Sequence, residues 1–271
     1  MPWSKMKNII LVILAITNLA LLALVGGQAI QDRRMFSQAR EESIQFLRNR
    51  GVEVDEDIIP QSMELLPQTV ERDLAGEERA AAALLGSPVT AEARGGEVYR
   101  YFNENGSIQF HNDGTLSAQL EEGSFPLDGD RAAGCAALMA RMGFQGTVLG
   151  EAGDEFTFRQ TWKGVPLFTQ QVTLVCQGGN VAAITAGRQL LGSPQTDATR
   201  KTVTVATALI NFVNGVGALG DVCNRIDAIE PGYTSAASLS GPILLTPVWR
   251  VTTDTGAYQL DTVTGGVTRV S

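Results

Sequence analysis

The residues best suited to chemistry are one histidine and a few acidic side chains. His111 is the only histidine in the chain, and it precedes an Asn-Asp-Gly turn. A Ser-His-Asp triad, a Cys-His pair or a histidine-containing zinc site would each have to use it. An exposed position on a hairpin explains His111 without catalysis. Asp154 and Glu155 lie at a turn, where contact with solvent explains them equally well. The sequence therefore predicts that the protein is not an enzyme.

The three cysteines, Cys135, Cys176 and Cys223, lie far apart in the sequence. None of them forms the CxxC pair that zinc sites and redox dithiols usually contain. Their odd number leaves at least one thiol free unless pairing is intermolecular. Free cysteine is among the most buried residue types, so the three are interpreted as small hydrophobic residues.

No motif predicts a cofactor or a metal ion. The sequence contains neither a GxxxxGKS/T phosphate loop nor a GxGxxG run after a strand. The run from Asn103 to Gly106 resembles part of a calcium loop, but the distal glutamate is missing and a hairpin turn explains it. The formal net charge of −8 argues against a nucleic-acid partner, which requires clustered Lys and Arg.

The amino-terminal segment predicts a membrane anchor. Ile9–Val25 carries no charge, follows Lys5 and Lys7, and is long enough to cross a bilayer. A tail as short as Met1–Asn8 stays in the cytoplasm easily. We therefore expect a cell-membrane protein with a single span, a cytoplasmic amino terminus and an extracellular C-terminal domain. The alternative is a cleavable signal peptide, because Gly27-Gln28-Ala29 resembles a cleavage site.

Asn18 lies inside this apolar run, where lipid offers its carboxamide no hydrogen-bond partner. Such a residue often bonds across helices. From the residue alone, a contact with a partner helix and a tolerated polar group without a role both remain open.

The rest of the chain predicts helices followed by antiparallel strands. Asn105-Gly106 and Asp113-Gly114 are strong hairpin signals. Two later segments each read as a helix followed by a sheet, the first helix capped by Asp128 and the second by Thr196 or Asp197. The predicted class is α+β, with an N-terminal transmembrane helix and repeated helix-plus-sheet units. The divisions are a cytoplasmic tail (1–8), a transmembrane helix (9–27), a juxtamembrane helix (28–51), an N-terminal extracellular region (52–124), and two repeats (125–193 and 194–271).

Three stretches of sequence resemble known families. The opening WSKMKNIILVILAITNLALL resembles the start of the YycI family of regulatory proteins from Gram-positive bacteria. The stretch FTFRQTWKGVPLFTQQVTLVCQGGNVAAI is similar to the strand-turn-strand core of that family. The C-terminal run PVWRVTTDTGAYQLDTVTGGV resembles PepSY and YpeB-like modules. The three cysteines and the Ala- and Gly-rich composition depart from the family and leave the partner open.

The YycI resemblance implies a regulator of a two-component sensor histidine kinase, WalK or YycG, that acts with a YycH sister protein in cell-wall homeostasis. It makes Asn18 the first candidate for a contact with a partner helix in the membrane, with Trp3 and Lys5 setting its depth. The alternative is a PepSY-like inhibitor or chaperone of an extracellular peptidase. A third hypothesis, a hydrolase of cell-wall polymer, requires two carboxylates suitably spaced in a cleft.

Overall fold

In a computed structural model of the chain, the structure describes residues 14, 17–19, 35, 37–127, 129–237 and 241–270. These residues are mostly β-sheet, with 15 strands. The predicted α+β class with an N-terminal transmembrane helix is therefore wrong. Within the described residues, every helix is too short or too polar to cross a membrane. Strands dominate because three of the helices are each followed by a meander of four strands joined by tight turns.

The helices are α1 (residues 37–49), α2 (Leu74–Leu85), α3 (Arg131–Arg141) and α4 (Val205–Ala218). The first strands are β1 (Glu53–Val54), β2 (Gln68–Val70), β3 (Thr90–Ala93), β4 (Tyr99–Asn103), β5 (Gly106–Phe110) and β6 (Thr115–Leu120). The middle strands are β7 (Gly146–Ala152), β8 (Glu155–Trp162), β9 (Val165–Gln177) and β10 (Asn180–Arg188). The last strands are β11 (Gln195–Thr196), β12 (Arg225–Ala236), β13 (Ile243–Thr253), β14 (Gly256–Asp261) and β15 (Val267–Val270).

One structural unit, a helix followed by a four-stranded antiparallel meander, occurs three times in the described residues. Its copies are α2 with β3 to β6, α3 with β7 to β10, and α4 with β12 to β15. The sequence predicts the second and third copies as repeats, but the first only as part of a mixed region, 52–124. In all three, the side chain at the N-cap accepts from the backbone: Asp73 from Gly76, Asp130 from Ala133, and Thr204 from Thr207.

The three units join at strand edges. The last strands of the first two units, β6 and β10, pair antiparallel, which gives an eight-stranded run from β3 to β7. The third unit joins at β12, where Tyr233 pairs in parallel with Leu167 of β9. One edge of β9 carries β8. The other edge is shared between β10, at residues 173–177, and β12, at Leu167.

The helices cover the sheet over two large apolar cores. One core contains residues of α2, α3 and the eight-stranded run, and the other contains residues of α1, α4 and β12 to β14. A smaller cluster that includes Leu167, Tyr233 and Leu245 fills the junction between β9 and the third unit. Side chains alternate across a strand, so the residues between core positions point to the opposite face.

Candidate functional site

The three candidates for a membrane contact are not brought together by the described structure. Asn18 is helical and exposed, while Trp3 and Lys5 lie outside the described residues, as does most of the segment 9–27. The role assigned to these three residues stays a prediction.

The acidic and histidine candidates lie apart and are held by structural contacts. Asp154 is paired with Arg131 of α3, with Oδ1 and Nη1 2.5 Å apart. His111 follows β5 and its backbone N–H donates to the Thr115 carbonyl. Among the described residues, no three His, Cys, Asp or Glu side chains are grouped so that they could hold a metal ion.

The cysteines differ in their surroundings. Cys135 and Cys176 are buried, as predicted from the sequence, and their sulfur atoms are 3.6 Å apart. Cys223 is half-buried instead, and its thiol lies 3.7 Å from the carbonyl oxygen of Arg225.

The strongest candidate site is a group of three side chains that we call the arginine surface: Arg159 of β8, Phe168 of β9 and Arg250 of β13. The guanidinium carbon of Arg250 lies 4.2 Å from the centre of the Phe168 ring, and that of Arg159 lies 5.4 Å from it. The Nε atoms of both arginines are buried and find no hydrogen-bond partner within the described part of the chain. Neither arginine makes an ion pair there.

Strand alternation turns these arginines away from the cores. Arg159 stands between the buried residues Phe158 and Gln160, and Arg250 stands between the buried residues Trp249 and Val251. The two positions therefore share the face of the sheet that the helices leave uncovered. Each arginine reaches the Phe168 ring from a different strand, so the ring is 4% exposed although it lies on this face.

Gly232 of β12 makes room for the Phe168 ring. A Cβ atom at this position would collide with Cε2 and Cζ of the ring, and it would lie 2.8 Å from the carbonyl oxygen of Pro166. Beside it, β9 and β12 are joined by polar contacts: the Ser235 N–H donates to the Thr169 hydroxyl, and the Gln170 amide donates to the Ser235 hydroxyl. The ring is thus held by the pairing of β9 and β12.

The electrostatics of the arginine surface favour an anion. Burial lowers the pKa of Arg250, the charge of Arg159 lowers it further, and Glu230 opposes both effects. Glu230 is exposed and stands directly opposite Arg250 on β12. Two like charges thus lie near each other, partly removed from water, and no carboxylate of the described residues is bonded to either. A ligand with acidic groups would offset the repulsion between the two guanidinium groups and would accept hydrogen bonds from their unpaired N–H donors.

A groove of about 630 Å³ continues from the Phe168 ring across β10 and β6. Its walls include His111, Ser117, Gln171 and Arg188. Arg188 lies 3.6 Å from Asp113. Burial raises the pKa of Asp113, but hydrogen bonds from Thr115 and the charges of Arg188 and His111 outweigh it, so this pKa is lowered. The groove is open, with polar and apolar side chains in its walls, which suits an extended chain better than a small buried molecule.

The other large cavities of the described residues have structural explanations. One of about 810 Å³ lies between α1 and the start of α4, beside Arg40. The Arg40 guanidinium donates to the carbonyls of Glu56 and Ile59 at 2.6 and 3.1 Å, so it supports the turn after α1. A groove of about 390 Å³ beside Trp249 is lined by the segment 57–65, which follows the turn after α1, and by proline and valine residues of the neighbouring strands.

The sequence by itself predicts no functional role for any residue of the arginine surface. Its one available signal was the alternation of Phe156, Phe158 and Gln160 with polar residues, which marks Arg159 as facing away from the core. That signal says nothing about the approach of Arg250, which comes from a strand some ninety residues later in the chain.

Comparison with known proteins gives only distant likenesses. No family model and no curated protein matches the chain, so membership of the YycI family is not confirmed. A crystal structure of an uncharacterized protein from Eubacterium rectale aligns with a TM-score of 0.41 and 11% identity, over 81% of this chain and 90% of that one. The C-terminal domain of Bacillus megaterium YpeB aligns with a TM-score of 0.37 and 13% identity, over 74% of this chain and 99% of that one. YpeB-like modules are those that the C-terminal sequence resembles, but likenesses this distant assign no function.

Proposed function

We propose that this protein is a non-enzymatic binding module that acts outside the cytoplasm as an inhibitor or chaperone of a peptidase. In this proposal it holds an acidic, extended segment of the partner against the arginine surface and along the adjoining groove. The observation that carries the proposal is the pair of arginines around Phe168 that make no ion pair with any described residue.

The chemistry of the arginine surface supports a carboxylate-bearing ligand. A guanidinium group presents planar N–H donors that match a carboxylate, and charged groups are rarely buried without such a partner. The whole chain has a net charge of −8, so a long polyanion such as nucleic acid would be repelled by the rest of the surface. A short acidic segment of a protein avoids that repulsion.

The first experiment measures casein hydrolysis by the secreted peptidases of the source organism, with and without the purified full chain in mild detergent. An inhibitor lowers the initial rate, and a chaperone slows the loss of activity during incubation. The double variant Arg159→Gln/Arg250→Gln should lose either effect. Each replaced charge should raise the Kd for the partner about tenfold or more, because a hydrogen bond to a charged group contributes about 1.5–3 kcal/mol.

The matched control is Arg225→Gln, which removes an exposed arginine of β12 that is already paired with Asp227 at 2.6 Å. This variant should act like the unmodified protein. If the double variant retains the full effect on a peptidase, the arginine surface is not the binding site. If the unmodified chain neither inhibits nor protects any secreted peptidase, the function itself is wrong.

Regulation of a WalK- or YycG-like sensor kinase, together with a YycH-like protein, is the second candidate function. It is favoured by the resemblance of residues 3–22 to the YycI family. Its test is capture of the tagged full chain from gently solubilised membranes, beside an Asn18→Leu variant. Recovery of the kinase, weakened by Asn18→Leu, supports this function. Absence of the kinase in both samples eliminates it.

A further inference from the structure

Two buried thiols meet where α3 packs on β9. Cys135 lies on the buried side of α3 with Leu138 and Met139, and it has no exposed surface. Cys176 lies near the end of β9 and is 2% exposed. Their sulfur atoms are 3.6 Å apart, although the residues are 41 positions apart in the sequence.

We propose that Cys135 and Cys176 form a disulfide bond when the chain folds in an oxidising compartment, and that this bond fastens α3 to the sheet. The S–S distance in a disulfide is about 2.05 Å, so the sulfurs must approach by about 1.5 Å. Small rotations about the two Cα–Cβ bonds provide such a movement. The inference is independent of the proposed peptidase function.

The oxidant in this reaction is a second disulfide, either of a small molecule or of a thiol–disulfide oxidoreductase. The thiolate of one cysteine attacks the oxidant, whose S–S bond breaks and releases one thiol. The thiolate of the other cysteine then attacks the mixed disulfide and releases the second thiol. Two electrons pass to the oxidant, and the two protons of the cysteine thiols end on its two sulfurs.

Burial determines when this reaction can occur. Removal from water raises the pKa of the Cys135 thiol to about 12, and the hydrogen bond with Cys176 raises it as well. Only a thiolate attacks a disulfide, and the folded core gives the oxidant no path to either sulfur. The bond should therefore form during folding, before α3 closes over β9, while the folded reduced protein should react slowly.

Cys223 does not take part in this bond. It is half-buried in the segment before β12, and burial followed by the charge of Asp254 raises the pKa of its thiol to about 11. Replacing it by serine leaves two thiols in the chain, which makes their fate directly countable.

The experiment refolds the full-length Cys223→Ser protein from denaturant in mild detergent, with a buffer of reduced and oxidised glutathione. We expect the mass to fall by two hydrogen atoms and no thiol to react with Ellman's reagent in denaturant. A proteolytic digest without reductant should contain one cross-linked pair of peptides carrying Cys135 and Cys176. The Tm should lie about 5–15 °C above that of the reduced protein, because the bond closes a long loop.

Two further samples keep the test decisive. The additional change Cys135→Ala removes one small buried side chain and should leave a folded protein with one titratable thiol and no gain in Tm on oxidation. Folded, reduced protein in the same glutathione buffer should keep both thiols for much longer than refolding protein does. Two free thiols after refolding, or a separate glutathione adduct on each cysteine, would overturn the proposal.

Discussion

At the scale of single residues, Arg200 ties the segment before α4 to two strands. Its Nε lies 2.7 Å from a carboxylate oxygen of Asp197, and its guanidinium donates to the Gln68 carbonyl and the Thr246 hydroxyl. The Thr199 hydroxyl donates to the same carboxylate, and with the Arg200 contact it lowers the pKa of Asp197 to about 2. Charge and hydrogen bonds thus fix a loop that has little apolar surface of its own.

The pH dependence of stability tests this loop. The pKa of Asp197 is lower in the folded than in the unfolded chain, where it is about 3.9. Its stabilising contribution is therefore complete above that value and is lost as the pH falls towards 2. Urea unfolding should show Asp197→Asn less stable than the unmodified chain at pH 7, with a difference that shrinks between pH 4 and pH 2. Glu122→Gln, at an exposed turn, should show no such difference, and a constant difference for Asp197→Asn at every pH would contradict the assignment.

The residues of the candidate site were only partly predictable. The burial of Cys135 and Cys176 follows from the general preference of free cysteine, but their contact depends on how α3 lies on β9. Arg159 and Arg250 are separated by two strands and come together because β9 and β12 pair in parallel. No local sequence pattern encodes that pairing, which joins two units that are each complete as meanders.

At the scale of elements, Gln160 links β8 to the segment that follows β10. Its side-chain amide donates to the Leu190 carbonyl at 2.7 Å, and its Oε1 accepts from the Leu190 N–H at 2.8 Å. The site is buried, with Gln160 5% exposed. The Gln160 side chain thus satisfies both backbone groups of Leu190, as a neighbouring strand would.

Replacing Gln160 by leucine should leave both backbone groups of Leu190 buried without partners. Each unpaired group costs about 1–3 kcal/mol, so the free energy of unfolding should fall by about 2–5 kcal/mol, measured with urea. Gln195→Leu, at an exposed position of β11, should change it by less than about 0.5 kcal/mol. Equal losses in the two variants would show that the hydrogen bonds of Gln160 do not stabilise the fold.

The ends of helices and strands were predictable where a short sequence signal, such as an Asn-Gly or Asp-Gly turn, determines them. The Asn105-Gly106 and Asp113-Gly114 turns join adjacent strands as predicted. The predicted start of α4 was wrong. Thr204 is the cap, about two turns after the predicted Thr196 or Asp197, because the Asp197 carboxylate accepts hydrogen bonds from Arg200 and Thr199 instead. Strand β12 runs past Pro231 and Gly232, which usually end a strand, because Gly232 accommodates the Phe168 ring.

At the scale of the whole molecule, the described chain contains three similar units. Strand pairings between neighbouring units hold them together. The first two units share a continuous ladder between β6 and β10. The third pairs with β9 through Tyr233 and Leu167, and hydrogen bonds from Ser235 to Thr169 and from Gln170 to Ser235, with a small apolar cluster, support this joint. The number of units was underestimated from the sequence because the strands of the first, such as the exposed β3, show weak alternation.

The contact between β9 and β12 leads to a prediction of how the molecule unfolds when the Tyr233 side chain is truncated. Tyr233 is 1% exposed, contacts the Trp162 ring edge to face at 6.0 Å between centres, and donates to the Leu66 carbonyl at 3.0 Å. Tyr233→Ala should lower the free energy of unfolding by about 3–5 kcal/mol through loss of packing. Because the joint between the third unit and β9 is then weakened, thermal unfolding should separate into two transitions in calorimetry.

The conservative variant Tyr233→Phe distinguishes packing from hydrogen bonding at this joint. It keeps the ring against Trp162 and loses the bond to Leu66, so the loss should be about 1 kcal/mol and the unfolding should remain a single transition. Cooperative unfolding of Tyr233→Ala would mean that the pairing of β2 with β13 of the third unit, and of β11 with β2, holds the units together without Tyr233. Two transitions in the unmodified protein would mean that the third unit already unfolds separately.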